Sequence, residues 1–164
     1  MDNLMRKLPI GIQTFEKLRE GDYLYVDKTA LVWRIASTET PYFLSRPRRF
    51  GKSLLLSTFE AYFEGKKELF EGLAIADMEK EWKTYPVFHL DLNAEKYDSP
   101  QALVEILSRQ LTQWELKYGK GEDEETLSGR FAGVIRRASE QADRGVVVLV
   151  DEYDKPLLQA LDDG

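Results

Sequence analysis

Residues 146–150 read VVVLV, five β-branched or leucine side chains in a row, released by Gly145 and closed by Asp151 and Glu152. A run this short and this uniformly apolar predicts a strand buried on both faces, as in a parallel sheet covered by helices. Two other apolar runs predict strands as well: residues 42–44 (YFL) after Pro41, and residues 87–92 (VFHLDL) after Pro86. The segments between them carry helical periodicity. Strands alternating with helices give an α/β fold, a parallel sheet flanked by helices.

The helical segments have recognisable starts and stops. Residues 28–38 place Leu31, Val32, Ile35 and Ala36 on one face, and residues 53–64 place Leu55, Leu56, Phe59, Tyr62 and Phe63 at helical spacing ahead of Gly65. Short helical stretches are expected near residues 67–70 and 78–82. Ser99 and Pro100 form a cap and first-turn pair. They open a long helix with Leu103, Ile106, Leu107, Leu111 and Trp114 on one side. A further helix over about residues 125–142 carries Leu127, Phe131, Val134, Ile135 and Ala138. Residues 119–125 (GKGEDEE) read as a solvated loop, and Lys66, Lys67, Arg136, Arg137 and residues 122–125 as solvated faces. The chain reads as one domain, with an N-terminal segment over residues 1–40 and a core over 41–164.

Between the strand at 42–44 and the following helix lies RPRRFGKS, residues 46–53. A loop that leaves a strand and enters a helix gathers orphan backbone N–H groups at the positive end of the helix dipole, where phosphate oxygens bind. The second half of the motif G-x-x-x-x-G-K-[ST] is intact. Gly51 lets the backbone approach phosphate, Lys52 reaches its oxygens and the Ser53 hydroxyl suits Mg²⁺. The first glycine is replaced by Arg46, and Pro47 removes one N–H donor. Arg48 and Arg49 add positive charge that an anion would relieve. The candidate nucleotide-contacting stretch is therefore Arg46, Arg48, Arg49, Phe50, Gly51, Lys52, Ser53 and Leu54. The bland alternative is a chance G-K-S at a helix start; a rival has the arginines on a nucleic-acid backbone.

Asp151 and Glu152 end the 146–150 strand about 100 residues downstream, at the edge of an α/β sheet where ligands bind. Asp151 would hold Mg²⁺ opposite Ser53, and Glu152 would orient and deprotonate an attacking water. A strand that simply ends in solvated charge is the alternative. Asp91 and Asn93, near the end of the 87–92 strand, are secondary candidates for facing that water. His89 reads as a core or edge histidine with a satisfied hydrogen bond. Asp154 and Lys155 belong to a turn before a helix that Pro156 can start.

Composition excludes several chemistries. With no cysteine and a single histidine, disulfide frameworks, zinc–thiolate sites and multi-histidine metal sites are ruled out. No apolar run approaches the roughly 18 residues of a membrane span, and residues 1–9 do not resemble a signal peptide, so a cytoplasmic location is expected. The net charge of −6 argues against a broad nucleic-acid-binding face.

Four stretches together resemble a known family: residues 8–15 (LPIGI..F), 25–29 (YVDKT), 43–53 with the RPRRFGKS core, and 148–156 (VLVDEYDKP). The chain is similar to the AAA-ATPase-like domain that occurs, mostly in bacteria, in front of a nuclease-like domain of the PD-(D/E)XK type. In that family arginine commonly replaces the first glycine. The resemblance implies a P-loop NTPase-like fold (ASCE/AAA-type). It implies ATP and Mg²⁺ as cofactors, Gly51, Lys52 and Ser53 on the phosphates, Asp151 supporting the metal and Glu152 as base. It also implies a nuclease-like C-terminal partner domain and places residues 25–29 near the adenine. The family's sheet continues past the DEYDKP stretch into a sensor strand, which is missing here. A fragment or a short form is therefore expected, with three core strands and an edge open to dimerisation. Three functions follow: an ATPase, an ATP- or ADP-holding switch with negligible turnover, and, more weakly, a nucleic-acid-associated module.

Overall fold

The computed structural model describes residues 6–38, 40–45, 51–92 and 99–154. The chain divides into two compact units, Met1–Thr84 and Tyr85–Gly164, each described in turn.

In the first unit, α1 (Phe15–Glu20) packs on α3 (Lys52–Phe63), and α2 (Thr29–Ala36) packs on α4 (Ala74–Met78). The core is aromatic at its centre. Phe15 and Phe70 are fully buried with ring centroids 4.8 Å apart, and Trp82 and Tyr25 pack at their margins. Leu18, Val32, Phe59, Leu69 and Ile75 complete it. Helix α3 stops at Glu64, and Gly65 turns away with φ +74°, as its position in the sequence suggests. Residues 67–70 form the expected short helical turn, here a 3₁₀ turn.

The second unit is a βααβ arrangement. β1 (Val87–Asp91) pairs in parallel with β2 (Val147–Asp151), and the crossover between them runs through α5 (Pro100–Tyr118) and α6 (Leu127–Ala142). Both helix starts are capped by side chains. Ser99 accepts from the Ala102 N–H and Thr126 from the Gly129 N–H. Phe88, Leu111, Tyr118, Val134 and Ala138 form the core, with Trp114, Leu127, Phe131, Ile135 and Val146 against it. The fold is α/β, a small parallel sheet flanked by helices.

Four expectations change. Residues 42–44 are neither strand nor helix, and Tyr42, Phe43 and Leu44 are exposed; apolar character alone does not make a strand. Among the described residues the sheet therefore has two strands. The short helix expected at 78–82 lies earlier, at Ala74–Met78, because Glu79 is extended and Trp82 has φ +47°. Val148 and Val150 are about 40% exposed, so β2 is not buried on both faces. Phe88, opposite Val148 in register, is fully buried, so the helices cover the β1 side of that face more than the β2 side.

The fourth change concerns charge. Glu124 and Arg137 are not solvated: they form a two-pronged ion pair at 2.5 and 2.9 Å with side chains 13% and 16% exposed. The carboxylate lies over Gly133 of α6, where a Cβ would sit 1.7 Å from Oε1; only glycine leaves that room. Lys66 is likewise paired, with Glu16 and Glu64.

Candidate functional site

Helix α3 begins at the sequence-predicted phosphate turn. Gly51 is its N-cap in the left-handed region, φ +76° and ψ 25°, and its carbonyl accepts the first helical hydrogen bond from Leu55 N at 3.0 Å. No side chain caps this end among the described residues, and no acidic residue lies in its first turn. The N–H groups of the first turn have no intrahelical partner, and together with Lys52 they make a cationic helix start suited to an anion. Lys52, Ser53 and Leu54 are half-buried, Gly51 exposed. Among the described residues a Cβ at Gly51 would meet nothing within 4 Å, so there the backbone angle and not space calls for glycine. Arg46, Arg48, Arg49 and Phe50 lie outside the described residues.

The acidic pair sits at the C-terminal end of β2. Asp151 is its last residue, 6% exposed, and its Oδ1 accepts from the Glu152 N–H at 2.9 Å. That contact accompanies a sharp turn, with Glu152 at φ +53° in the left-handed region. The Asp151 carbonyl accepts from Leu92 N at 3.1 Å, which carries the ladder one step past β1. Asp91 is the register partner of Asp151, so the two aspartates occupy adjacent positions on one face of the sheet. His89 is half-buried opposite Leu149. Asp154 lies in the turn that follows; Asn93, Lys155 and Pro156 lie outside the described residues. Lys52 and Ser53 thus belong to the first unit, and Asp151 and Glu152 to the second.

The YVDKT stretch has a structural use of its own. Asp27 Oδ1 accepts from the Thr29 N–H at 2.8 Å and the Thr29 hydroxyl at 2.7 Å, while Oδ2 accepts from Ala74 N at 2.7 Å. The Thr29 hydroxyl in turn accepts from Ile75 N. One carboxylate and one hydroxyl therefore tie the starts of α2 and α4 together. Partial burial raises the Asp27 pKa, but the Thr29 and Ala74 donors outweigh it and hold the carboxyl below its ordinary value.

Two polar groups in α3 escaped the sequence reading. Ser57 and Thr58 lie in an apolar-looking helix, yet both donate to the Leu54 carbonyl, at 2.9 and 2.7 Å. A serine–threonine pair in the middle of an apolar helix was the available signal. A buried pair was also missed. Arg130 grips Glu115 with two 2.8 Å bonds and adds Ser108 and Thr112. This pair lines an open cleft of about 430 Å³ with Leu116 and Lys120, remote in sequence from every candidate phosphate or metal residue. Among the described residues, no group of three or more His, Cys, Asp or Glu is placed to hold a metal, and no helix is long and apolar enough to cross a membrane.

Comparison with known proteins gives a concordant result. A family model described as a predicted AAA-ATPase, of the AAA-ATPase-like type, matches residues 9–164. A curated relative from Azotobacter chroococcum mcd 1, described as an uncharacterized protein in the vnfD 5′ region, is 44% identical over 157 residues. The match covers 95% of this chain and 30% of that relative, so the chain spans under a third of the relative's length. No solved structure matches.

Proposed function

Since the chain belongs to the AAA-ATPase-like family, we propose that it is the phosphate-binding part of a P-loop ATPase and binds ATP with Mg²⁺. The observation that carries this reading is the start of α3. A left-handed Gly51 opens a 12-residue helix whose first turn has no side-chain cap among the described residues and carries Lys52 and Ser53. Lys52 is the group for the β/γ oxygens, and the first-turn N–H groups hold the same phosphates. Arg46, Arg48 and Arg49 add charge on the loop side, with Phe50 and Leu54 bounding the stretch.

The donor set suits magnesium, which keeps several waters and takes one or two carboxylates or hydroxyls beside the phosphates. Ser53 and Asp151 are such donors, and the bound ion would neutralise phosphate charge. Asp151 is held rigidly by its own bond to the Glu152 N–H. Glu152 is the group to take the proton of an attacking water. The relative's greater length supports an effector region, nuclease-like by the family pattern, that this module drives or regulates.

Calorimetry with Mg-ATP on the parent chain and on Lys52→Ala tests the binding claim. The parent is expected to bind and the variant to lose at least tenfold in affinity. Equal affinity would sink the proposal. Steady-state phosphate release then separates an ATPase from a nucleotide-holding switch: turnover removed by Glu152→Gln supports catalysis, and no turnover in the parent supports the switch.

A further inference from the structure

The LPIGI..F stretch meets α3 at Phe15, against which Tyr25 of the YVDKT stretch packs. The Phe15 N–H, at the start of α1, donates to the Ser57 hydroxyl at 2.9 Å. The N-cap residue of α1, Thr14, offers no side-chain cap, so Ser57 supplies it from α3. Thr58, the next residue of α3, is 1% exposed. Phe15 and Tyr25 also pack edge to face at 5.3 Å. Ser57 and Thr58 each donate a hydrogen bond to the same acceptor, the carbonyl of Leu54.

Leu54 directly follows Lys52 and Ser53 in the first turn of α3. A carbonyl that takes two side-chain hydroxyls besides its helical partner is drawn toward them, which tilts its peptide plane and bends the helix locally. Here that carbonyl belongs to the turn that presents the candidate phosphate groups. The Ser57 hydroxyl is itself held by the Phe15 N–H at the start of α1.

Resting on the nucleotide-binding reading above, we propose that Ser57 and Thr58 are positioning residues. They fix the first turn of α3, and hence Lys52 and Ser53, through the Leu54 carbonyl. The start of α1 is the brace that holds Ser57 in place. Neither residue touches the nucleotide. Their effect is on how well the turn is preorganised, and small misplacements of a positioning group are costly.

The test measures Mg-ATP affinity by calorimetry and stability by urea denaturation on the full chain. Ser57→Ala and Thr58→Val are each expected to raise Kd about fivefold, the equivalent of one net hydrogen bond of ~1 kcal/mol. Ser57→Thr and Thr58→Ser restore the hydroxyl and should recover affinity to within about twofold of the parent. Ile75→Val, a buried substitution in α4 of the same unit, loosens the core without touching α3 hydroxyls and should leave Kd unchanged. If Lys52→Ala abolishes binding while Ser57→Ala and Thr58→Val bind like the parent, the brace is wrong and the nucleotide reading stands. If Ile75→Val weakens binding as much as Thr58→Val does, or Thr58→Ser fails to rescue, general destabilisation is the cause and the proposal falls. A parent that binds no Mg-ATP overturns both.

Discussion

Replacing Gly51 by alanine separates backbone angle from space at the start of α3. The native residue sits at φ +76°, and among the described residues an added Cβ would touch nothing within 4 Å. All of the cost therefore comes from holding an L-residue in the left-handed region, about 1–2 kcal/mol. Alanine also stiffens the unfolded chain, but that gain of roughly 0.4–1 kcal/mol applies only where the native angle suits it, which it does not here. We expect Gly51→Ala to lower unfolding free energy by ~1 kcal/mol or to relieve the strain by shifting the turn. In the second case stability holds and Mg-ATP affinity drops. Asparagine tolerates the left-handed region, so Gly51→Asn should fall between parent and alanine in both measurements. Urea denaturation and calorimetry on the same three proteins give the ordering. If Gly51→Ala matched the parent in stability and in affinity, the left-handed angle would not be what makes glycine necessary there.

Arg130→Met should strand Glu115, whose side chain is 7% exposed, without its bidentate partner. Breaking a fully buried pair costs roughly 3–5 kcal/mol; here the open cleft admits water, so about 2–3 kcal/mol is expected, with much of it recovered in the double variant Arg130→Met/Glu115→Leu. A double-mutant loss equal to the single one would count against the pairing. Glu124 is held down to about 2 from an ordinary 4.5, chiefly by the Arg137 guanidinium and then by the Gly121 N–H. Its folded pKa is the lower one, so its contribution to stability is complete above about pH 4.5 and disappears as pH falls toward 2. Glu124→Gln should flatten the acid limb of a urea-midpoint profile over that window, and an unchanged limb would refute the pairing. Asp27→Ala removes a carboxylate bonded to two helix starts and should cost ~1–2 kcal/mol. If Asp27→Ala also changed the preference for ATP over GTP, residues 25–29 would have an adenine role beyond the clasp.

The parts of the fold that are local in sequence could be read from it. Ser99 with Pro100, Gly65 after Phe63, and the apolar run before Asp151 each declare themselves within a few residues, because caps, stops and apolar runs are local patterns. The parts that depend on distant partners could not. Glu124 looks solvated inside GKGEDEE until Arg137 and Gly133, a turn apart on α6, are brought beside it. VVVLV reads as buried on both faces, yet coverage depends on where the crossover helices land, and they land on Phe88. YFL has the composition of a strand, but pairing is decided by neighbours that no local pattern supplies. The candidate site divides the same way. Lys52, Ser53, Asp151 and Glu152 stand in motifs; Ser57 draws notice only once α1 is seen to reach it.

Gly51 and Glu152, the two turns that bear candidate chemistry, are both left-handed, but only one is a glycine. At Glu152 the same angle costs about 1–2 kcal/mol, and the Asp151 Oδ1 bond to its N–H offsets part of this. A strained non-glycine residue at the edge of a sheet points to a side chain retained for its chemistry. Glycine would remove the strain and add unfolded-chain entropy of roughly 0.4–1 kcal/mol against folding. Glu152→Gly is therefore expected to be as stable as the parent or up to ~1 kcal/mol more so. Glu152→Gln keeps the strain and should leave the urea midpoint unchanged. Both variants should bind Mg-ATP, because the carboxylate has no part in holding phosphate, and both should lose whatever phosphate release the parent shows. If Glu152→Gly were destabilised by more than about 1 kcal/mol, the carboxylate would be holding the turn together. The chemical explanation for its strained backbone would then be wrong.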